Sequence, residues 1–194
     1  MRQGLAFALG YLRNPRRVGA IAPASKALAQ AILQYDGPPT HWRLIGEGPM
    51  KADCERLLAP LVGTSGPSHV SFEAWGPLPE LPGRLASADA ILGIFGTSDK
   101  ALRVIPNKVY QGLAIGRAVL TAATPAFLPE LRADEESGLF WAKPGDPDSI
   151  CKAVVRFHQR RDELLSLGSA ARASYESHYS NRAIAAVLRE IVTA

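Results

Sequence analysis

Residues 103–121 read Arg103-Val-Ile-Pro-Asn-Lys-Val-Tyr-Gln-Gly-Leu-Ala-Ile-Gly-Arg-Ala-Val-Leu-Thr121. The stretch predicts a loop, a helix and a buried strand in succession. Pro106 suits the first helical position, where its missing N–H leaves nothing unsatisfied and its fixed φ favours the helix. Val109, Leu113 and Ala114 give the helix an apolar side, Gly116 stops it, and the apolar run from Ala118 to Leu120 returns to a sheet. Asn107 and Lys108 stand where the helix opens, so free backbone N–H groups and a cation face one space. Such a helix start can hold a phosphate.

Outward from there, strand-like and helix-like stretches alternate. Strands are expected at residues 18–22, 42–45, 69–72, 90–95, up to Thr121, and at 139–142. Helices are expected from Ser25 to Leu33, at 52–61, 78–88, 126–132, 148–165, 169–178 and 181–192. The fold class this order implies is α/β: a single Rossmann-like, doubly wound parallel sheet with extra C-terminal helices. Ligands of such sheets bind beyond the carboxyl ends of the strands. The loops at 22–26, 46–50, 76–78, 96–107 and 121–125 all belong to that edge and are expected to converge.

Composition sets the outer limits. At 194 residues, 47% hydrophobic and 21% charged, the chain is an ordinary globular protein with room for one domain. Its net charge of +4 suits anionic partners, a nucleotide diphosphate or an acidic lipid surface. Nothing in the pattern points to nucleic acid. Cys54 and Cys151 lack metal-ligand spacing and read as idle thiols in a reducing compartment; four scattered histidines offer no zinc pattern. No apolar run approaches the ~20 residues of a membrane span. Residues 1–17 read as a basic, helical N-terminal extension and not as a signal peptide, with the domain proper at 18–194.

The pattern I-P-N-K-V-Y-x-x-L-A-x-G-R-x-V-x-T, followed by Thr124-Pro125, resembles the donor-site segment of family 4-type glycosyltransferases with the two-domain GT-B fold. The likeness continues upstream through Leu44-Ile-Gly-Glu-Gly-Pro49, Phe72-Glu-Ala-Trp-Gly-Pro77 and Ala88-Asp-Ala-Ile-Leu-Gly-Ile-Phe-Gly96. It continues downstream through Gly138-Leu-Phe-Trp141 and Gly145-Asp-Pro147. An ordered series of this kind is far more specific than any one of its members.

The resemblance implies the C-terminal, nucleotide-sugar-binding half of such an enzyme, with the acceptor-binding half outside this sequence. It implies a hexosyltransferase-type reaction without a metal or other cofactor, the nucleotide-diphosphate sugar being the donor substrate. A separate acceptor-binding domain or chain would be a partner. The expected location is cytoplasmic, with peripheral attachment to the inner membrane face through the basic N-terminus as a further expectation.

Residue by residue, Gly19 and Lys26 match the spacing of the family's diphosphate clamp, although Ala20 and Ala27 replace its arginine and its second glycine. Gly76 and Leu78 match the loop whose backbone recognises the base. Arg103 and Gln111 occupy the places of two glutamates eight residues apart. A glutamine can still accept a ribose hydroxyl, though without charge assistance; Arg103 reverses a charge and cannot act as a carboxylate. Asn107 and Lys108 complete the donor-binding set, whereas Tyr110 and Trp141 read as packing. No catalytic residue is assigned.

Two other readings stand beside this one. The altered donor positions favour a non-catalytic nucleotide- or phosphate-binding module, or a truncated gene product. Separately, Tyr11-Leu-Arg-Asn-Pro-Arg-Arg-Val-Gly-Ala-Ile-Ala-Pro-Ala-Ser25 resembles the opening of bacterial phospholipid N-methyltransferases, which use S-adenosylmethionine. Their glycine-rich loop would have to be Gly46-Glu-Gly48, and no third glycine follows.

Overall fold

A computed structural model describes residues 26–46, 50–64, 66–74, 76–133 and 135–193. The expected first strand at 18–22, the cap at Ser25, Gly19 and the N-terminal extension lie outside the described residues. Within them, β1 (Thr40–Ile45) pairs with β2 (Ser68–Glu73), and β4 (Ala118–Ala122) lies between β3 (Ala90–Leu92) and β5 (Leu139–Ala142). Every pairing is parallel; His41 sits opposite His69, Ile91 opposite Val119 and Leu120 opposite Phe140. All residues of β3, β4 and β5 are buried, as a parallel ladder covered on both faces requires.

The helices divide between those two faces. On one, α1 (Lys26–Gln34), α2 (Lys51–Leu58) and α7 (Pro147–Gln159) enclose Trp42, Leu44, Val70, Leu92, Leu120 and Phe140 with Leu28, Ile32, Leu58, Val154 and Phe157. This cluster draws on both ladders, which is what joins them. On the other face, Ile91, Val119, Leu139 and Trp141 pack under α3 (Leu81–Ala86), α5 (Asn107–Ala114), α6 (Pro129–Ala133) and α8 (Leu164–His178). Each large side chain so buried contributes about 1.5–3 kcal/mol relative to exposure. A buried polar relay crosses the first layer: Trp42 Nε1 donates to Ser68 Oγ at 3.1 Å, and Ser68 Oγ donates to Ile32 O at 2.9 Å. It satisfies groups that would otherwise oppose burial.

Several boundaries differ from the sequence expectation. Pro106 is the N-cap of α5, in extended conformation, and the helix opens at Asn107. The expected loop 96–107 contains α4 (Asp99–Arg103), capped by Ser98 Oγ accepting from Ala101 N. The strand expected at 90–95 ends at Leu92. The helix expected at 148–165 stops at Gln159, and α8 then runs unbroken from Leu164 through the expected break near Ser169. The boundary between α7 and α8 lies instead at Arg160 and the short turn Arg161–Glu163. Gly116 does end α5: its φ of 68° lies in the left-handed region open to glycine.

Candidate functional site

Each parallel ladder places the carboxyl ends of its own strands along one edge. α1 leads into β1 and α5 into β4, so each helix runs back across its ladder and begins at that ladder's edge. Lys26 is the exposed first residue of α1 and Asn107 the exposed first residue of α5, and the two helices pack on opposite faces.

The β3–β4–β5 edge is stitched at its root. Gly93 N donates to Leu120 O at 2.7 Å, Ala122 N to Ile94 O at 3.0 Å, Ala123 N to Ala142 O at 2.8 Å, and Gly145 N to Phe95 O at 2.7 Å. A methyl group on Gly93 would lie 2.1 Å from Thr121 Oγ1, so the loop after β3 approaches β4 as closely as only glycine permits.

Helix α5 carries the central groups. Its N-cap residue, Pro106, provides no side-chain cap. Lys108, in the second helical position, is 4% exposed, and burial holds its amine well below the usual lysine range. One turn on, Gln111 is half-buried; its Oε1 is buried and finds no hydrogen-bond partner among the described residues. Tyr110 meets Tyr179 edge to face at 5.1 Å. The Tyr179 hydroxyl and Thr124 Oγ1, in the loop after β4, are likewise buried without a partner among the described residues.

Of the remaining expected residues that are described, Arg103 and Leu78 are exposed and Gly76 is half-buried. Arg103 closes α4 with an exposed guanidinium paired to Asp99. Leu78 is 69% exposed in a short turn after β2. Beside it, the guanidinium of Arg84 lies across Gly76, donating to Ala74 O at 3.3 Å and pairing with Glu80 at 3.2 Å. Arg84 was not singled out in the sequence, nor were Thr124 and Tyr179 as site residues. Thr124 could have been found from its place just past a strand end; Tyr179, far along the chain, gave no signal. Trp141 is packing, its Nε1 donating to Leu131 O at 3.2 Å.

The groove between α1 and α7, about 600 Å³ and lined in part by Gln34, Asp36, Cys151 and Lys152, contains none of the expected site residues. Cys151 donates to Ala31 O at 3.3 Å, and burial pushes its thiol up to about 11; Cys54 is buried. Among the described residues, no group of three or more His, Cys, Asp or Glu side chains could hold a metal ion. Nor is any described helix long and apolar enough to cross a membrane.

Comparison with known proteins identifies the class. Residues 7–160 match the family model described as glycosyl transferases group 1, and the chain belongs to that family. Its α/β architecture is that of half a GT-B glycosyltransferase. The catalytic domain of cholesterol-alpha-glucosyltransferase from Helicobacter pylori superposes with a TM-score of 0.58 at 15% identity, over 84% of this chain and 100% of that one. A glycosyltransferase from Rickettsia africae gives 0.67 at 13% identity, over 92% of this chain and 47% of that one. Anabaena HepE, solved with UDP-glucose, gives 0.62 at 17% identity, over 92% and 49%. The chain thus spans about half the length of the latter two. No curated protein matches it.

Proposed function

We propose that this chain is the donor-binding part of a glycosyltransferase and grips the nucleotide diphosphate of a nucleotide-sugar at the C-terminal edge of its sheet. The observation that carries the reading is the buried Gln111 Oε1, an acceptor with no partner among the described residues, one turn inside the start of α5. It is suited to a ribose hydroxyl, while the opening of α5 at Asn107, with the Lys108 cation, is suited to phosphate oxygens. Lys26 and Arg103 add cationic charge from the rim, and the Gly76–Leu78 turn, with Gly19, completes the donor-binding set. Solved relatives of this fold include HepE with bound UDP-glucose, which supports the choice of donor class.

In this reading, residues 18–194 form the donor domain and residues 1–17 an extension. A separate acceptor-binding domain or chain closes the cleft, and the location is cytoplasmic, with peripheral attachment at the inner membrane face. Catalysis would be electrostatic: amides and lysines stabilise the departing diphosphate without a metal or other cofactor. A second reading, nucleotide binding without transfer, is favoured by Ala20, Ala27, Arg103 and Gln111 standing where the resembled family carries other groups.

Calorimetric titration with UDP and GDP tests the site. Binding is expected for one of them, weakened about tenfold by Gln111→Leu, the equivalent of ~1.4 kcal/mol for one lost hydrogen bond. Absence of binding by both nucleotides sinks both readings. Release of sugar from a bound nucleotide-sugar, once an acceptor half is supplied, separates transfer from binding alone.

A further inference from the structure

The turn between β2 and α3 is built to hold one shape. Pro77, Pro79 and Pro82 each fix a φ angle. Glu80 N donates to Pro77 O at 3.0 Å, and Leu81 N donates to Leu78 O. Residues 78–80 thus form one tight helical turn that runs directly into α3.

The link back to β2 is made by a side chain from α3. Arg84 Nη1 donates to Ala74 O at 3.3 Å on the strand side of the turn, and Nη2 pairs with Glu80 Oε2 at 3.2 Å on the helix side. Between those anchors the guanidinium lies on Gly76, where a methyl group would come within 2.5 Å of Cζ and Nη2 and 3.0 Å of Nε. The φ of Gly76 is outside the left-handed region, so its backbone does not demand glycine. What the absent side chain provides is room for the guanidinium.

A planar fork is the group that can make this bridge. Its N–H groups point in fixed, divergent directions, whereas a lysine ammonium is a single point charge. An ion pair to an exposed carboxylate such as Glu80 adds little to stability. Its effect here is on position. Main-chain groups of a turn can discriminate between bases only where they are held still, because uracil and guanine offer different patterns of donors and acceptors, and a turn free to shift accommodates either.

We propose that Arg84 is a positioning residue for base selection: it locks the Gly76–Leu78 turn between β2 and α3, and the locked shape decides which nucleotide the donor site accepts. It acts through the turn and not on the reacting atoms. The inference rests on the donor-site reading, in which that turn faces the base.

Calorimetric titration of the full chain with UDP and with GDP tests it, the weaker nucleotide being measured by displacement of the tighter. The quantity read is the ratio of the two dissociation constants. A variant that merely loosens the domain weakens both nucleotides alike and leaves the ratio unchanged. Arg84→Ala is expected to shrink the ratio by about fivefold or more, the scale of one positioned hydrogen bond. Arg84→Lys is expected to do the same, since charge without the fork does not bridge the turn. Gly76→Ala displaces the guanidinium from the other side; it should match Arg84→Ala, and the two combined should do no more than either alone. Circular dichroism checks that each variant is folded. An unchanged ratio in Arg84→Ala overturns the proposal and leaves the donor site standing. So does an Arg84→Lys variant that keeps the parent's ratio, or a parent that binds UDP and GDP equally well. Binding of neither nucleotide by the parent removes the donor-site reading itself, and this inference with it.

Discussion

Lys108 shows how burial can set a residue's chemistry. Removed from water, its amine is held well below the ordinary lysine range, so the free protein disfavours the charged form. A diphosphate placed at the start of α5 supplies negative charge and reverses that preference. UDP binding is therefore expected to raise the pKa of the Lys108 amine, with proton uptake in the pH range where that amine titrates. Titrations in buffers of different ionisation enthalpy would show it as a buffer-dependent heat, reduced in a Lys108→Met variant. The cation and the helix were both legible in the sequence, because their spacing is local. The depth of Lys108 was not, since it depends on packing around the helix start by residues distant in the chain.

Among the elements, α7 was the most fully announced in the sequence. Asp146 precedes Pro147, and in the structure its Oδ1 accepts from Ser149 N at 3.0 Å while Pro147 opens the helix. Asp146→Ala is expected to lower stability by about 1 kcal/mol, measurable by urea unfolding. α4 escaped notice because a five-residue helix is too short to display a period, leaving only the Ser98 cap as a sign. The fusion of two expected helices into α8 has a related cause. Gly168 and Ser169 read as a break, yet Gly168 is needed for contact: a methyl there would lie 2.5 Å from Gly116 O. A residue that weakens a helix locally was retained for close approach to the neighbouring one. The strands were easier, since an apolar run on a doubly covered sheet has little else to become.

On the acid side, two described groups respond to pH with opposite signs. His158, hydrogen-bonded to Thr40 Oγ1 at 2.9 Å, ties α7 to β1 and is lowered to about 4 by burial and by nearby Arg161. Its folded-state pKa lies below the ordinary 6.5, so its contribution is present above pH 6.5 and lost as pH falls toward 4. Asp89 is raised to about 6 by burial, against the opposing pull of Arg161 and Arg117. Its contribution is present below its ordinary 3.8 and lost as pH rises through 6. The two slopes oppose each other between about pH 4 and 6. Removing the first with His158→Asn should therefore make Tm rise, relative to the parent, as pH falls from 6.5 to 4 in a thermal-unfolding series.

The stitching of the loop after β3 has an evolutionary corollary. Because its root is pinned at Gly93, Ile94 and Phe95 to the neighbouring strand ends, the crest beyond Thr97 can exchange residues while the scaffold below keeps its alignment. Arg103, standing where the resembled enzymes carry an acid, lies on that crest. If the donor site lies where proposed, a lineage could revise its choice of donor by rewriting a few surface positions, leaving the foundations of the domain as they were.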